Sequence, residues 1–258
     1  EEILNLALEI AEQDKSKISN AYVYAILGQL YILWSKNSQA LKYNKKALEV
    51  YKYLEDTANE AIVIHNLATT LLHIGEDMDA LTYYQQSLEI MRKNEDRLSQ
   101  GLSYGQMGNV YLSLFDYSKS IHYLNRSLSI FKDVGQYFNE GMVILFIIEP
   151  LIETGQFNDA SEFIIEAENI LNEYQDSTIN GRLYHYKGML EFYKSNIGEA
   201  VDNLENSIEE YQVAQKNIAS FKGSLLLIEV HIFNKKFSMA QKIIEKIETQ
   251  VKQIKDNA

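Results

Sequence analysis

The chain of 258 residues contains no cysteine. That excludes a disulfide, a thiolate metal site and a cysteine nucleophile, and it leaves the redox compartment open. Proline occurs once, at Pro150, and glycine 12 times. Helix breakers are therefore scarce, and long helices joined by short turns are expected throughout. Basic residues are outnumbered: 24 Lys and Arg stand against 36 Asp and Glu, for a net charge of −12. With no local basic patch to override that mean, nucleic-acid phosphates and anionic membrane surfaces are repelled, and neither is an expected partner. The longest apolar run, residues 142–148, stops at Glu149 and Pro150, well short of the roughly 20 residues a helix needs to span a bilayer. Also missing are a Gly-rich phosphate loop, a Gly-x-Ser-x-Gly turn and a His-Glu-x-x-His helix, so no enzymatic activity, cofactor or metal is expected.

What is present is a repeat. Shifting the sequence by 40 residues superimposes the same pattern, and self-similarity at such a period signals a solenoid. Six units begin near Ala21, Ala61, Gly101, Gly141, Gly181 and Phe221. The eighth place of each holds Gly28, Ala68, Gly108, Ile148, Gly188 and Ile228, and the twentieth holds Ala40, Ala80, Ser120, Ala160, Ala200 and Ala240. Small residues there let paired helices approach closely. Bulky groups recur between them, as with Tyr31, Leu71, Tyr111 and Leu151 at the eleventh place and Tyr84, Leu124, Ile164 and Leu204 at the twenty-fourth. Turn-prone residues fall at matching points, among them Gly75, Asp116, Gly155 and Asn196, so each unit reads as a helical hairpin.

Ahead of the first unit, residues 3–14 place Ile3, Leu6 or Ala7, Ile10 and Ala11 on one helical face with no helix before them. They read as the second helix of a further repeat. Its uncovered apolar face makes self-association as a homodimer an expectation. The chain begins at Glu1, without Met or a signal peptide, and so reads as a segment of a larger protein.

With Ala47, Ser87, Ser127, Ala167 and Ser207 at the twenty-seventh place, the sequence resembles the tetratricopeptide repeat family. The resemblance covers nearly the whole chain, and the period of 40 rather than about 34 residues is similar to that of bacterial peptide-sensing regulators. It implies an all-α fold: one right-handed α-solenoid of stacked antiparallel helix pairs over residues 1–258, with repeats near 21–60, 61–100, 101–140, 141–180, 181–220 and 221–258 after the half-repeat at 1–20. It also implies a concave wall of first helices in which ligands lie, and a cytoplasmic setting, or else a periplasmic sensor segment. Ile148 and Ile228 at the eighth place and Ile247 at the twenty-seventh depart from the pattern, so the fourth and sixth units should pack with altered spacing.

By that family geometry the groove is lined by His65, Asn66, Thr69 and His73 in the second unit, Gln106 and Asn109 in the third, Glu149 and Glu153 in the fourth, and Arg182 and His185 in the fifth. Asn and Gln carry donor and acceptor together and suit the amide backbone of an extended peptide. The same residues can equally be solvated or bonded to neighbouring helices. Glu149, Glu153 and His185 can be drawn as a metal site or an acid pair, but no further spaced ligand supports either. His65 and His73 read as groove polar groups before pH sensors. Pro150 should kink or widen its helix. The leading expectation is a non-catalytic module that binds a protein or peptide segment in a larger, bacterial signalling protein. The alternative is a structural adaptor or oligomerisation scaffold with no groove ligand.

Overall fold

The chain reverses direction every 20 residues. In the computed structural model, which describes residues 6, 8–10 and 17–256, a left-handed residue stands at Ser35, Glu55, Gly75, Glu95, Phe115, Gly135, Gly155, Gln175, Ser195, Gln215 and Lys235. The turn after Ser113 shows how each reversal is built. Phe115 N–H donates to the Leu112 carbonyl (3.0 Å) and Asp116 N–H to the Tyr111 carbonyl (2.9 Å), which closes the helix in a Schellman motif. The Asp116 side chain then accepts from Lys119 N–H at 3.1 Å and opens the next helix. Asp56, Asp96 and Asp176 cap helices in the same way, each supplying an acceptor for otherwise orphaned N–H groups.

Twelve helices therefore follow one another among the described residues: α1 (Lys17–Leu33), α2 (Asn37–Tyr53), α3 (Thr57–His73), α4 (Asp77–Lys93), α5 (Arg97–Ser113), α6 (Tyr117–Val134), α7 (Tyr137–Glu153), α8 (Phe157–Leu171), α9 (Ser177–Tyr193), α10 (Ile197–Val213), α11 (Asn217–Phe233) and α12 (Phe237–Asp256). They pack as consecutive pairs. The odd-numbered member is the first helix of each hairpin and the even-numbered member the second. Two compact units result, one running to Gln136 and one from Tyr137 onward. Within each unit, adjacent first helices touch one another, whereas adjacent second helices stand apart.

Two close approaches recur in the hairpins. A Cβ on Gly108 would lie 2.5 Å from Leu124 Cγ, and one on Gly188 2.7 Å from Leu204 Cγ, so the eighth place has room for no more than a small residue against the twenty-fourth. At the other end of the hairpin, Gly101 lies against Phe131, Gly141 against Leu171 and Gly181 against Tyr211, each too close for a Cβ to fit without movement. A hydrogen bond is added at this end: Ser87, Ser127 and Ser207 Oγ each donate 2.7 Å to the carbonyl of Ala61, Gly101 and Gly181. The bond joins the twenty-seventh place to the first. Where isoleucine takes the eighth place, in α7–α8 and α11–α12, the two helices make fewer close approaches than in any other hairpin, as a wedge of extra methylenes dictates.

Helix α7 runs through Pro150 without interruption. Thr154 folds back on it, donating from both N–H (3.1 Å) and Oγ1 (2.7 Å) to the Pro150 carbonyl. Of the stretch 3–14, on which the expectation of self-association rests, only residues 6 and 8–10 are described; they are helical, with Leu6 and Ile10 exposed. The rest lies outside the described residues.

Candidate functional site

The residues expected to line a groove fall into two clusters, one in each unit. In the first unit they sit on α3 and α5. His65 Nδ1 lies 3.0 Å from Ser103 Oγ, and its ring meets Tyr84 edge-on with centroids 5.1 Å apart. Burial of the ring disfavours the imidazolium and pulls its pKa down to about 4. Thr69 Oγ1 donates to the His65 carbonyl (3.1 Å) and lies 2.9 Å from the Tyr84 hydroxyl. His65 and Thr69 are thus engaged with α4 and α5, in the seam of the hairpin stack. His73 is exposed at the end of α3.

Asn66, Gln106 and Asn109 differ from these. All three are half-buried. Asn66 and Gln106 occupy the sixth place of consecutive units, and Asn109 lies one helical turn beyond Gln106. Among the described residues, no hydrogen bond engages the side-chain amides of Asn66 and Gln106, and Asn109 Oδ1 is buried with no partner. Asn109 Oδ1 has lost its water bonds and gains none in return, which is costly unless something else supplies them, whereas the amides of Asn66 and Gln106 stay open to solvent or to a ligand.

In the second unit the cluster lies on α7, α9 and α11. Tyr186 OH donates to Glu149 Oε2 and Tyr193 OH to Glu153 Oε1, each at 3.2 Å. Burial raises the Glu149 pKa against the opposing pull of the Tyr186 bond and of the positive charges on Lys222 and Arg182. The Arg182 guanidinium lies 4.8 Å from the centroid of Phe146, a cation–π distance. His185 is held neutral by burial and by the nearby charges of Lys222 and Arg182, which pull its pKa down to about 4. Arg182 Nη1 and His185 Nδ1 are buried without partners. Among the described residues, no group of three or more His, Asp or Glu is placed to hold a metal ion, and no helix is long and apolar enough to cross a membrane.

Sequence reasoning passes over Ser103 and Lys222 and reads Tyr84 only as a bulky packing group. Lys222 carries a signal, since it takes the second place of its unit as Arg182 does of the unit before. Ser103 and Tyr84 carry none, because their roles come from the helices they are packed against.

Residues 59–133, which span most of the second and third hairpins, match a family whose description is tetratricopeptide repeat. These residues are tetratricopeptide repeats. The solenoid likeness extends over the whole chain. It resembles the apo form of RapI at a TM-score of 0.81 and 15% identity, covering 98% of this chain and 90% of that one. It resembles aspartyl phosphate phosphatase F from Bacillus subtilis at 0.76 and 17%, covering 93% of this chain and 61% of that one. NprR in complex with its cognate peptide NprX matches at 0.73 and 16%, over 98% and 73%. At such identities the likeness shows the fold, and this chain spans about three fifths of the Bacillus subtilis protein. No curated protein matches the sequence. The tetratricopeptide-repeat fold sets the first helices of a unit against one another and so presents equivalent places side by side.

Proposed function

We propose that the chain is a non-catalytic tetratricopeptide-repeat module that binds an extended peptide or protein segment along its first helices. The observation that carries this reading is the set of three half-buried amides on α3 and α5, Asn66, Gln106 and Asn109, whose hydrogen-bonding groups the protein leaves unpaired. Each amide offers a donor and an acceptor. An extended peptide, with an N–H and a C=O at every residue, supplies the complement without needing any particular side chain. The likeness to NprR, a protein solved with its cognate peptide, and to a Rap protein solved with competence and sporulation factor, supports the same reading. The second unit adds a charged site of its own, where Glu149 and Glu153 suit a basic side chain of the ligand and Arg182 an acidic one.

The test is selection of binders from a random peptide library on the unmodified protein, followed by titration of the best binder against Asn66→Ala with Asn109→Ala. Losing two hydrogen bonds should weaken binding by about tenfold or more. Unchanged affinity would move the site off the first helices. A second reading, an adaptor that assembles with other proteins through exposed apolar surface, is favoured by Phe233, Phe237 and Met239, which are 64%, 63% and 46% exposed at the turn between α11 and α12. A library that yields no binder would support the adaptor.

A further inference from the structure

The second helices bear a site of different character. Because α4 and α6 stand apart, a recess of about 400 Å3 opens between them, with Tyr104 and Met107 as its floor, Gln85, Glu89 and Arg92 on one wall and Tyr123 and Arg126 on the other. Arg92 Nη2 and Arg126 Nη1 both donate to the Tyr104 phenol oxygen, the latter at 3.2 Å. Their guanidinium carbons lie 5.8 and 5.3 Å from the centroid of the same ring. Among the described residues no acidic side chain pairs with either arginine. Two like charges thus converge on one neutral oxygen, in a chain whose acidic groups outnumber its basic ones by 36 to 24.

Repeat geometry does not require this. The same two register places hold Lys52 with Gln86 one unit earlier and Gln212 with Lys246 near the end of the chain. Only at Arg92 and Arg126 do both carry an arginine. Glu89 also lines the recess but pairs with neither arginine, and the arginine–phenol cluster itself offers donors only. Each guanidinium keeps most of its five N–H groups free, and the phenol, accepting from both, keeps its own proton to give. A carboxylate is satisfied by a single guanidinium fork. Two forks with two positive charges match an oxyanion with a charge near −2, which a phosphomonoester carries at neutral pH.

We propose that this recess binds a phosphoryl group, held between Arg92 and Arg126 with the Tyr104 hydroxyl beneath it. Both arginines stand on second helices, and only Tyr104 and Met107 come from α5, whose Gln106 and Asn109 belong to the amide set described above.

The chain has four arginines, Arg92, Arg97, Arg126 and Arg182, so the side-chain Nε–H signals of 15N-arginine-labelled protein report on it with little overlap. The probes are inorganic phosphate, a phosphoserine peptide and its unphosphorylated counterpart, all at one fixed ionic strength. The Arg92 and Arg126 signals should move together and saturate with one Kd, while those of Arg97 and Arg182 stay in place. Arg126→Gln should weaken binding by about tenfold or more. Tyr104→Phe keeps the ring but removes the shared acceptor, and should weaken it by severalfold. Both variants are checked for an unchanged melting temperature, and Arg126→Lys, which keeps the charge but not the fork, should fall between wild type and Arg126→Gln. Phosphopeptide binding at least about tenfold tighter than phosphate, with no response to the unphosphorylated peptide, identifies the ligand as a phosphorylated segment. Equal affinity for phosphate and phosphopeptide identifies the free group or a small phosphorylated molecule. Four signals drifting together without saturation, or none moving, would overturn the site.

Discussion

Replacing glycine by alanine should have opposite effects at two places in this chain, and the sign follows from what a single methyl group would meet. At Gly108, in the middle of α5, the added Cβ would stand 2.5 Å from Leu124 Cγ, 2.8 Å from Leu124 Cδ2 and 3.2 Å from the Leu124 backbone nitrogen. The side chain can rotate away, but the backbone nitrogen cannot, so α5 and α6 must separate. Overpacking of this kind costs about 1 to 3 kcal/mol, against which alanine returns up to about 1 kcal/mol of helix propensity. Gly108→Ala should therefore lower stability by about 1 kcal/mol. At Gly198, near the start of α10, a Cβ meets nothing within 4 Å, and only the propensity gain remains. Gly198→Ala should raise stability by about 0.5 to 1 kcal/mol. Urea unfolding followed by circular dichroism measures both, and a double-mutant cycle isolates the contact. In a Leu124→Ala background the side-chain part of the Gly108→Ala cost should vanish and only the 3.2 Å backbone approach remain, so the cost should shrink, although Leu124→Ala itself costs about 2 to 5 kcal/mol. If Gly108→Ala stabilises as much as Gly198→Ala does, the close approach at the eighth and twenty-fourth places is not what holds these hairpins.

Acid should weaken the fold through His65 and His185, whose folded pKa values of about 4 lie below the usual 6.5. The neutral ring is the folded form, so this stability is fully present above pH 6.5 and is lost as the pH falls toward 4. At pH 5 the loss is about 2 kcal/mol per histidine; His65→Gln should remove its share, and an unaltered pH profile in that variant would refute the burial argument. Asn44 is fully buried against Gly28 with both side-chain polar atoms unpartnered, at the place where Leu124 and Leu204 stand in tighter hairpins. Asn44→Leu should accordingly raise stability by about 1 to 3 kcal/mol, seen as a higher urea midpoint. Ser127→Ala removes the 2.7 Å bond to the Gly101 carbonyl and should lower stability by about 1 kcal/mol, with no change if the bond is incidental.

The spacing of small residues was enough to read the hairpins from the sequence, because a close helix approach leaves a steric demand at one fixed place in every repeat. Ile148 and Ile228 broke that demand, and the loosened packing of their hairpins followed. The 20-residue rhythm of left-handed turns was harder to see, since Phe115, Glu95 and Gln175 take a conformation usually marked by glycine. It is enforced instead by the Schellman bonds and aspartate caps on either side. In the candidate site, placing a residue on a first helix was not enough to make it available to a ligand. Thr69 and His65 have the same register as Asn109 and Gly105, yet the two former are tied up by Tyr84 and Ser103. Those ties depend on which side chain the neighbouring helix presents, and a single-helix pattern does not contain that information. The paired arginines over Tyr104 were invisible for the same reason, being 34 residues apart and brought together only by the stacking of two hairpins.

The claim that a peptide lies along the first helices is tested most directly by hydrogen–deuterium exchange of the full chain with and without the peptide selected from the library. Ligand amides bonded to Asn66, Gln106 and Asn109 would order the faces that carry them and slow local opening there. The account predicts added protection in α3 and α5, with α4 and α6 unchanged, and loss of that protection in the Asn66→Ala, Asn109→Ala double variant. Protection confined to α4 and α6, or equal in wild type and double variant, would contradict it.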